Sequence, residues 1–342
     1  MQKVLGLLLI IMHVACSRGA LQPEPVLYFM DSSYLYILHS DKSVYRYDPV
    51  KDYKELLLRL DSSLSSPIEL VVKEDVIYVF STTGSVLLQK IKRAGAHYVN
   101  TGFSGLTGVT PHSERFLIAG TQGLLMCNDS LEPMFRIACD CGDSCEKQGQ
   151  VLPNGHVVAY EYYNGSKTAR IKVYDSYGVE LNELMVPGDI GGWEELKIGE
   201  IEGGDALIFC NAGYDEFSFL RWEYKKGEWN KLYTTHLPPI KNAGGLVFLS
   251  TRHGTSLIAV SLKDFEEQWS YSGPGVVEDV IAEGDYIGIV HQRGTDVLER
   301  ATGNIVRSVH GTGHLKSFFY QSNLLIVHDN GEVSQYSLGK KG

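Results

Sequence analysis

Three cysteines fall within one seven-residue stretch, Cys139-Asp140-Cys141-Gly142-Asp143-Ser144-Cys145, the densest set of chemically capable side chains in this 342-residue sequence. Structural zinc ordinarily takes four ligands arranged as paired C-x-x-C units, and that spacing is missing. Disulfide chemistry is the better account. One bond is expected inside the cluster, Cys141 to Cys145 or Cys139 to Cys145, with Cys127 on the preceding apolar run the candidate for a second. Cys210 closes another apolar run and reads as a free core thiol.

Carboxylates able to act together stand beside glycine-rich segments. Asp189, Trp193, Glu194 and Glu195 lie in or next to Gly188–Trp193, Glu278 and Asp279 follow Gly273-Pro274-Gly275, and His314 follows Gly311-Thr312-Gly313. Brought to one place, they make an acidic mouth with an aromatic platform, a site for a partner or, where several oxygens converge, for calcium. The plainer account is that glycine lets the chain turn where connections crowd. His39, His291 and His328 recur at one position after an apolar run. A shared zinc would need its nitrogens at about 2.0 to 2.1 Å, whereas matching positions on packed sheets lie about 10 Å apart. They read instead as hairpin-flanking residues in a surface row. His310 and His314 bracket a glycine loop with no third ligand in the neighbouring sequence, and no metal is assigned to them.

Motifs for catalysis are absent: the chain has no G-x-S-x-G, no H-E-x-x-H, no P-loop and no G-x-G-x-x-G between a strand and a helix. The reading therefore leans away from an enzyme. A formal charge of −10 argues against a nucleic-acid partner, because phosphate binding needs a basic face. At the start, Lys3 precedes an apolar stretch from Val4 to Val14, the length of a signal-peptide core and too short to span a bilayer. Residues 1–16 are expected to be a cleaved secretory signal, with a cut after Gly19 the alternative. A second alternative makes Cys16 a lipidated terminus of a periplasmic lipoprotein, with His13 standing where a lipobox wants Leu. No later segment reads as a membrane span. Secretion, or residence in the lumen of the secretory pathway, gives meaning to the sequons at Asn128 and Asn164, both glycosylation candidates.

The elements that must position these residues announce themselves by repetition. Eight short apolar runs, Leu35–Leu38, Ile77–Phe80, Phe116–Ala119, Val157–Tyr160, Ala206–Phe209, Leu246–Leu249, Tyr286–Val290 and Leu324–Val327, each precede a tight turn and a second alternating run. A period of about 40 residues built from strands and turns is a β-propeller pattern. Residues 21–342 are expected to form one all-β domain of eight blades, each a four-stranded antiparallel sheet. The eighth unit ends at Leu338 without an outer strand, so an incomplete last blade is expected, with Leu21–Pro25 covering its edge. Seven blades with the two ends sharing a sheet is the alternative.

Two segments, SLKDFEEQWSY (Ser261–Tyr271) and ERATGNIVRSV (Glu299–Val309), resemble the strand-turn-strand signature of quinoprotein-like, or PQQ-like, propeller repeats. VYRYDPVKDYKELLLRL (Val44–Leu60) resembles a kelch unit but lacks its glycine pair, and no Trp-Asp dipeptide supports a standard WD40 assignment. The resemblance implies architecture alone. Quinone-dependent members carry an adjacent cysteine pair that this chain lacks, so PQQ is not expected. The sequence thus points to a non-enzymatic propeller binding a protein or glycan partner through its loop-rich face. The alternatives are a hydrolase or lyase with an axial carboxylate and calcium site, and a lipid-anchored assembly factor.

Overall fold

The computed structural model describes residues 23–338 except 61–63, 65, 92–96, 139–144, 153, 164–167, 187–196, 202–204, 214–215, 224–225, 238, 252–253 and 312. Every helix or strand among the described residues is a strand, and the strands form eight antiparallel sheets, seven of four strands and one of three. Blade one covers residues 25–59, blade two 67–100, blade three 106–138 and blade four 145–186. Blades five to eight cover residues 197–235, 239–272, 277–310 and 314–337. In each blade the chain starts at the innermost strand and works outward, pairing each strand with the one before it. An eight-bladed propeller with an incomplete last blade is therefore the architecture. The two ends of the described chain lie in different sheets, which excludes the seven-bladed alternative.

Second strands are apolar without alternation because both of their faces are covered by neighbouring blades. Leu35–His39 is buried throughout, as is Leu246–Ser250, and Asn323–His328 is buried from Leu324 to Val327. Outer strands such as Ile305–His310 face solvent along most of their length. Burying each Leu, Ile or Phe of this inner layer is worth about 1.5 to 3 kcal/mol, so the second strands are where the fold is specified.

Adjacent blades are joined by a repeated device at the rim. Phe135, on the outer strand of blade three, lies against Gly178 in the last turn of blade four, where an added Cβ would come within 2.6 Å of its ring. Tyr233 of blade five stacks on Phe265 in the corresponding turn of blade six, with centroids 5.3 Å apart. Trp269 of blade six donates from Nε1 to the Arg300 carbonyl of blade seven at 2.8 Å and covers Gly303. An outer-strand aromatic thus seats on the next blade's turn.

The ring closes between blades eight and one by packing, without a shared sheet. Leu35, Ile37 and Tyr47 form one cluster with Tyr320, Leu325 and Val327. Lys54 Nζ donates to the Gly331 carbonyl at 2.6 Å, and His39 lies directly under the Gly331 turn, where a Cβ would meet its ring at 2.2 Å. His39 donates from Nδ1 to the Pro23 carbonyl and accepts from Lys54 at Nε2. Pro23 and Pro25 are therefore committed to the head of blade one, and the expected cover of the open edge by Leu21–Pro25 is corrected to that extent. Leu21 and Gln22 lie outside the described residues.

Candidate binding face and axial channel

Turns between second and third strands share one face with the connections between blades, because the two are hydrogen-bonded together around the ring. Ser40 N–H donates to the Glu24 carbonyl, Thr121 N–H to Gly105, Gln292 N–H to Val276 and Asp329 N–H to Gly313. On this connection face most inner strands begin with a β-bulge. The extra residues are Val26, Ile68, Thr107, Ile240, Glu278 and Leu315, and the residues that follow them are Leu27, Glu69, Gly108, Lys241, Asp279 and Lys316. Bulges re-aim side chains at the rims of β-structures. Here Val26 and Leu315 are each 44% exposed, and Val276, in the connection before blade seven, is 39% exposed.

Just inside the mouth, three successive inner strands meet through charge. Lys241 Nζ lies 2.9 Å from Asp279 Oδ1, and Lys316 Nζ lies 3.0 Å from Asp279 Oδ2. Burial raises the Asp279 carboxyl, but the two lysines outweigh it and hold the group below the ordinary range. Each carboxylate oxygen already has an ammonium partner. The trio carries a net positive charge, which opposes a calcium ion at this point. Farther round, Glu69 is pushed upward by burial, and Gly108 leaves open space where a side chain would stand.

The structure redistributes the residues expected to line the mouth. Glu278 is an exposed bulge residue and Asp279 is the centre of the lysine pair. His314 is withdrawn between blades: its Nε2 lies 2.7 Å from Ser317 Oγ and 3.2 Å from Thr295 Oγ1 of blade seven. Burial pushes its pKa down to about 4, with the nearby His328 and His291 adding to the effect. Asp189, Trp193, Glu194 and Glu195 lie outside the described residues, as do Cys139 and Cys141 and the side chain of Cys145.

Cys127 is a free, fully buried thiol, which corrects its assignment to a second disulfide. It sits near the end of Gly123–Asn128, away from the connection face, whereas Cys145 opens an inner strand on that face. Burial against the cluster containing Tyr78 and Phe116 pushes the thiol up to about 12. Asn128 uses both side-chain atoms on Glu132, donating to Oε2 at 2.8 Å and accepting from the backbone N–H at 2.9 Å. Asn164 lies outside the described residues.

The histidines are not a surface row, since His39 and His291 are buried. His291 meets a partner set that spacing did not reveal: its Nε2 is 3.4 Å from Asp296 Oδ2, and His310 Nε2 is 2.9 Å from Asp296 Oδ1. Tyr271 of blade six donates its hydroxyl to Asp296 Oδ2 at 2.6 Å. Burial raises the Asp296 carboxyl, but hydrogen bonds from Ser308, Tyr271 and His310 outweigh it and keep the group below its usual range. Candidate ligand atoms of His291, Asp296 and His310 lie within 4.8 Å of one another. A metal-bound imidazole ordinarily donates through its other nitrogen. His291 Nδ1 instead accepts the Arg293 N–H at 3.2 Å, which leaves the proton on Nε2, facing Asp296. The donor set fits a hydrogen-bonded joint between blades six and seven and does not fit a metal.

No family model matches the sequence, and no curated protein is significantly similar to it. Solved structures are similar. BamB from Moraxella catarrhalis matches with a TM-score of 0.66 at 12% identity, over 92% of this chain and 99% of that one. The Saccharomyces cerevisiae protein Sqt1 matches with a TM-score of 0.65 at 12% identity, over 92% and 100%. A computationally designed protein, Ika8, matches with a TM-score of 0.66 at 13% identity, over 92% and 96%. At these identities the likeness is one of fold, and the fold is the β-propeller.

Proposed function

We propose that this chain is a non-enzymatic propeller that binds a protein partner through its connection face, in the secretory pathway or outside the cell. The observation that carries the reading is the mouth itself: Val26, Val276 and Leu315 are exposed, and the Asp279 carboxylate inside them is already neutralised by Lys241 and Lys316. Exposed apolar residues rimmed by polar ones suit a protein surface. A carboxylate pinned by two ammoniums is a poor general base and a poor calcium ligand, which weighs against an axial hydrolase or lyase. The PQQ-like segments fall on third strand, turn and outer strand of blades six and seven, so they serve the rim and leave the mouth free to diverge. The apolar leader supports the compartment.

The test is a double variant, Val26→Glu with Leu315→Glu, in which two exposed side chains change without disturbing the core. Affinity capture of the tagged, full-length protein, quantified by mass spectrometry against wild type, should show a discrete partner set lost in the variant. Equal recovery of that set by a folded variant contradicts the reading.

A further inference from the structure

Three inner strands bring charge to one point inside the mouth, and their arrangement determines what fits beside it. Lys241, Asp279 and Lys316 each follow a bulge residue at the head of an inner strand, in the successive blades six, seven and eight. Asp279 is the fixed member. Its Oδ1 accepts from Lys241 Nζ at 2.9 Å and from the Val280 N–H at 2.8 Å, and its Oδ2 accepts from Lys316 Nζ at 3.0 Å. A carboxylate anchored to its own strand thereby holds the ends of two long, flexible side chains in place.

These cations keep capacity for another acceptor. Their side chains are 42% and 41% exposed, against 24% for Asp279, so both ammoniums reach the water of the mouth. Each has three donors and gives one to Asp279. One carboxylate between two ammoniums leaves a positive charge unmatched, in a chain whose formal charge is −10. Among the described residues, neither Glu278 nor Glu69 forms an ion pair with these lysines. The charge of Glu278 acts on His291 in the second strand, and Glu69 belongs to blade two, across the ring from blade six. A second carboxylate set between Lys241 and Lys316 would complete an alternating square of charges with none left over.

The surroundings define the rest of the occupant. Val26, Val276 and Leu315 stand exposed at the rim, on the same side of the ring as the lysines and farther out. An entering group meets apolar side chains first and charge last. A small inorganic anion would leave that rim unused, whereas an acidic residue between apolar ones engages both parts. Resting on the reading of the connection face as a partner's seat, we propose that the mouth recognises an acidic tip. An Asp or Glu side chain, flanked by apolar residues in an exposed loop of the partner protein, enters past Val26, Val276 and Leu315, and its carboxylate bridges Lys241 and Lys316. The excess of carboxylates over the chain as a whole disfavours such a tip elsewhere, so the lysine pair fixes where it docks.

The probe is a fluorescent cyclic peptide presenting Leu-Glu-Leu at its turn, titrated onto the full-length protein beside its Leu-Gln-Leu and Leu-Lys-Leu counterparts and followed by anisotropy. Saturable binding of the Glu peptide is expected, at least about tenfold tighter than that of the Gln peptide. Lys241→Met and Lys316→Met keep an apolar stem and lose the charge, and each should remove most of that preference. Lys316→Glu should transfer the preference to the Lys peptide, a reversal that damage to the fold would not produce. Equal binding of the Glu and Gln peptides by wild type, an unchanged preference in folded Lys316→Glu, or no binding up to about 1 mM overturns the proposal. Should Lys316→Glu fail to fold, a full preference for Glu retained by Lys241→Met overturns it instead. Affinity capture separates this proposal from the reading on which it rests. A partner set lost from Val26→Glu with Leu315→Glu but retained by Lys241→Met with Lys316→Met upholds the face and overturns the acidic tip, whereas retention by both double variants overturns the two together.

Discussion

At His314, burial converts position into pH dependence. Its folded pKa of about 4 lies below the ordinary value of 6.5, so the folded state favours the neutral ring. The stability this gives is complete above about pH 6.5 and is lost as the pH falls towards 4, because the unfolded chain takes up the proton first. His39 and His291 are shifted in the same direction, each mainly by burial. His314→Gln retains groups able to hydrogen-bond Ser317 and Thr295, and urea unfolding at pH 7 and pH 4.5 should show a shallower loss of stability than wild type. At the neighbouring joint, Tyr271→Phe removes a hydroxyl bonded to a buried carboxylate and should lower unfolding free energy by about 1.5 to 3 kcal/mol in urea titration. None of this was legible at the level of single residues. No motif surrounds Asp296 in Gly294–Glu299, and His291, His310 and Tyr271, which meet it, come from three other strands. Lys241 and Lys316 left a fainter signal: Pro67-Ile68-Glu69, Pro239-Ile240-Lys241, Val277-Glu278-Asp279 and His314-Leu315-Lys316 align at the head of four inner strands.

Among the elements, the second strands were readable because continuous burial leaves a continuous apolar run, and the outer strands were readable through their aromatic residues. The bulges were not. An extra residue in an alternating run is invisible until the partner strand shows which residue it skips, and the bulges decide which side chains enter the mouth. Closure was likewise hidden, since His39 and Gly331 meet only when the ring is complete. Gly331 has a φ of +75°, and a side chain there would also strike His39. Gly245 has a similar φ of +79° with open space around it. Gly331→Ala should therefore destabilise by about 2 to 4 kcal/mol and Gly245→Ala by about 1 kcal/mol, measured by thermal or denaturant unfolding of the two variants. Equal losses would mean that the contact between blades eight and one contributes nothing beyond backbone strain.

For the whole molecule, the account rests on a division between the two faces of the propeller. The connection face carries the bulged strand heads, the exposed apolar residues and the lysine-neutralised Asp279. The opposite face carries the tight turns between third and outer strands, fastened to one another by Phe135, Tyr233 and Trp269. Amine-reactive cross-linking of the full-length protein in its native setting, read by mass spectrometry, separates them directly. Lys42, Lys241 and Lys316 lie on the connection face or just inside its mouth, while Lys226 and Lys263 lie in turns of the opposite face. Cross-links to a partner protein concentrated at Lys42, Lys241 and Lys316 are the predicted result. Cross-links concentrated at Lys226 and Lys263, with the connection face unmodified by any partner, would contradict the account.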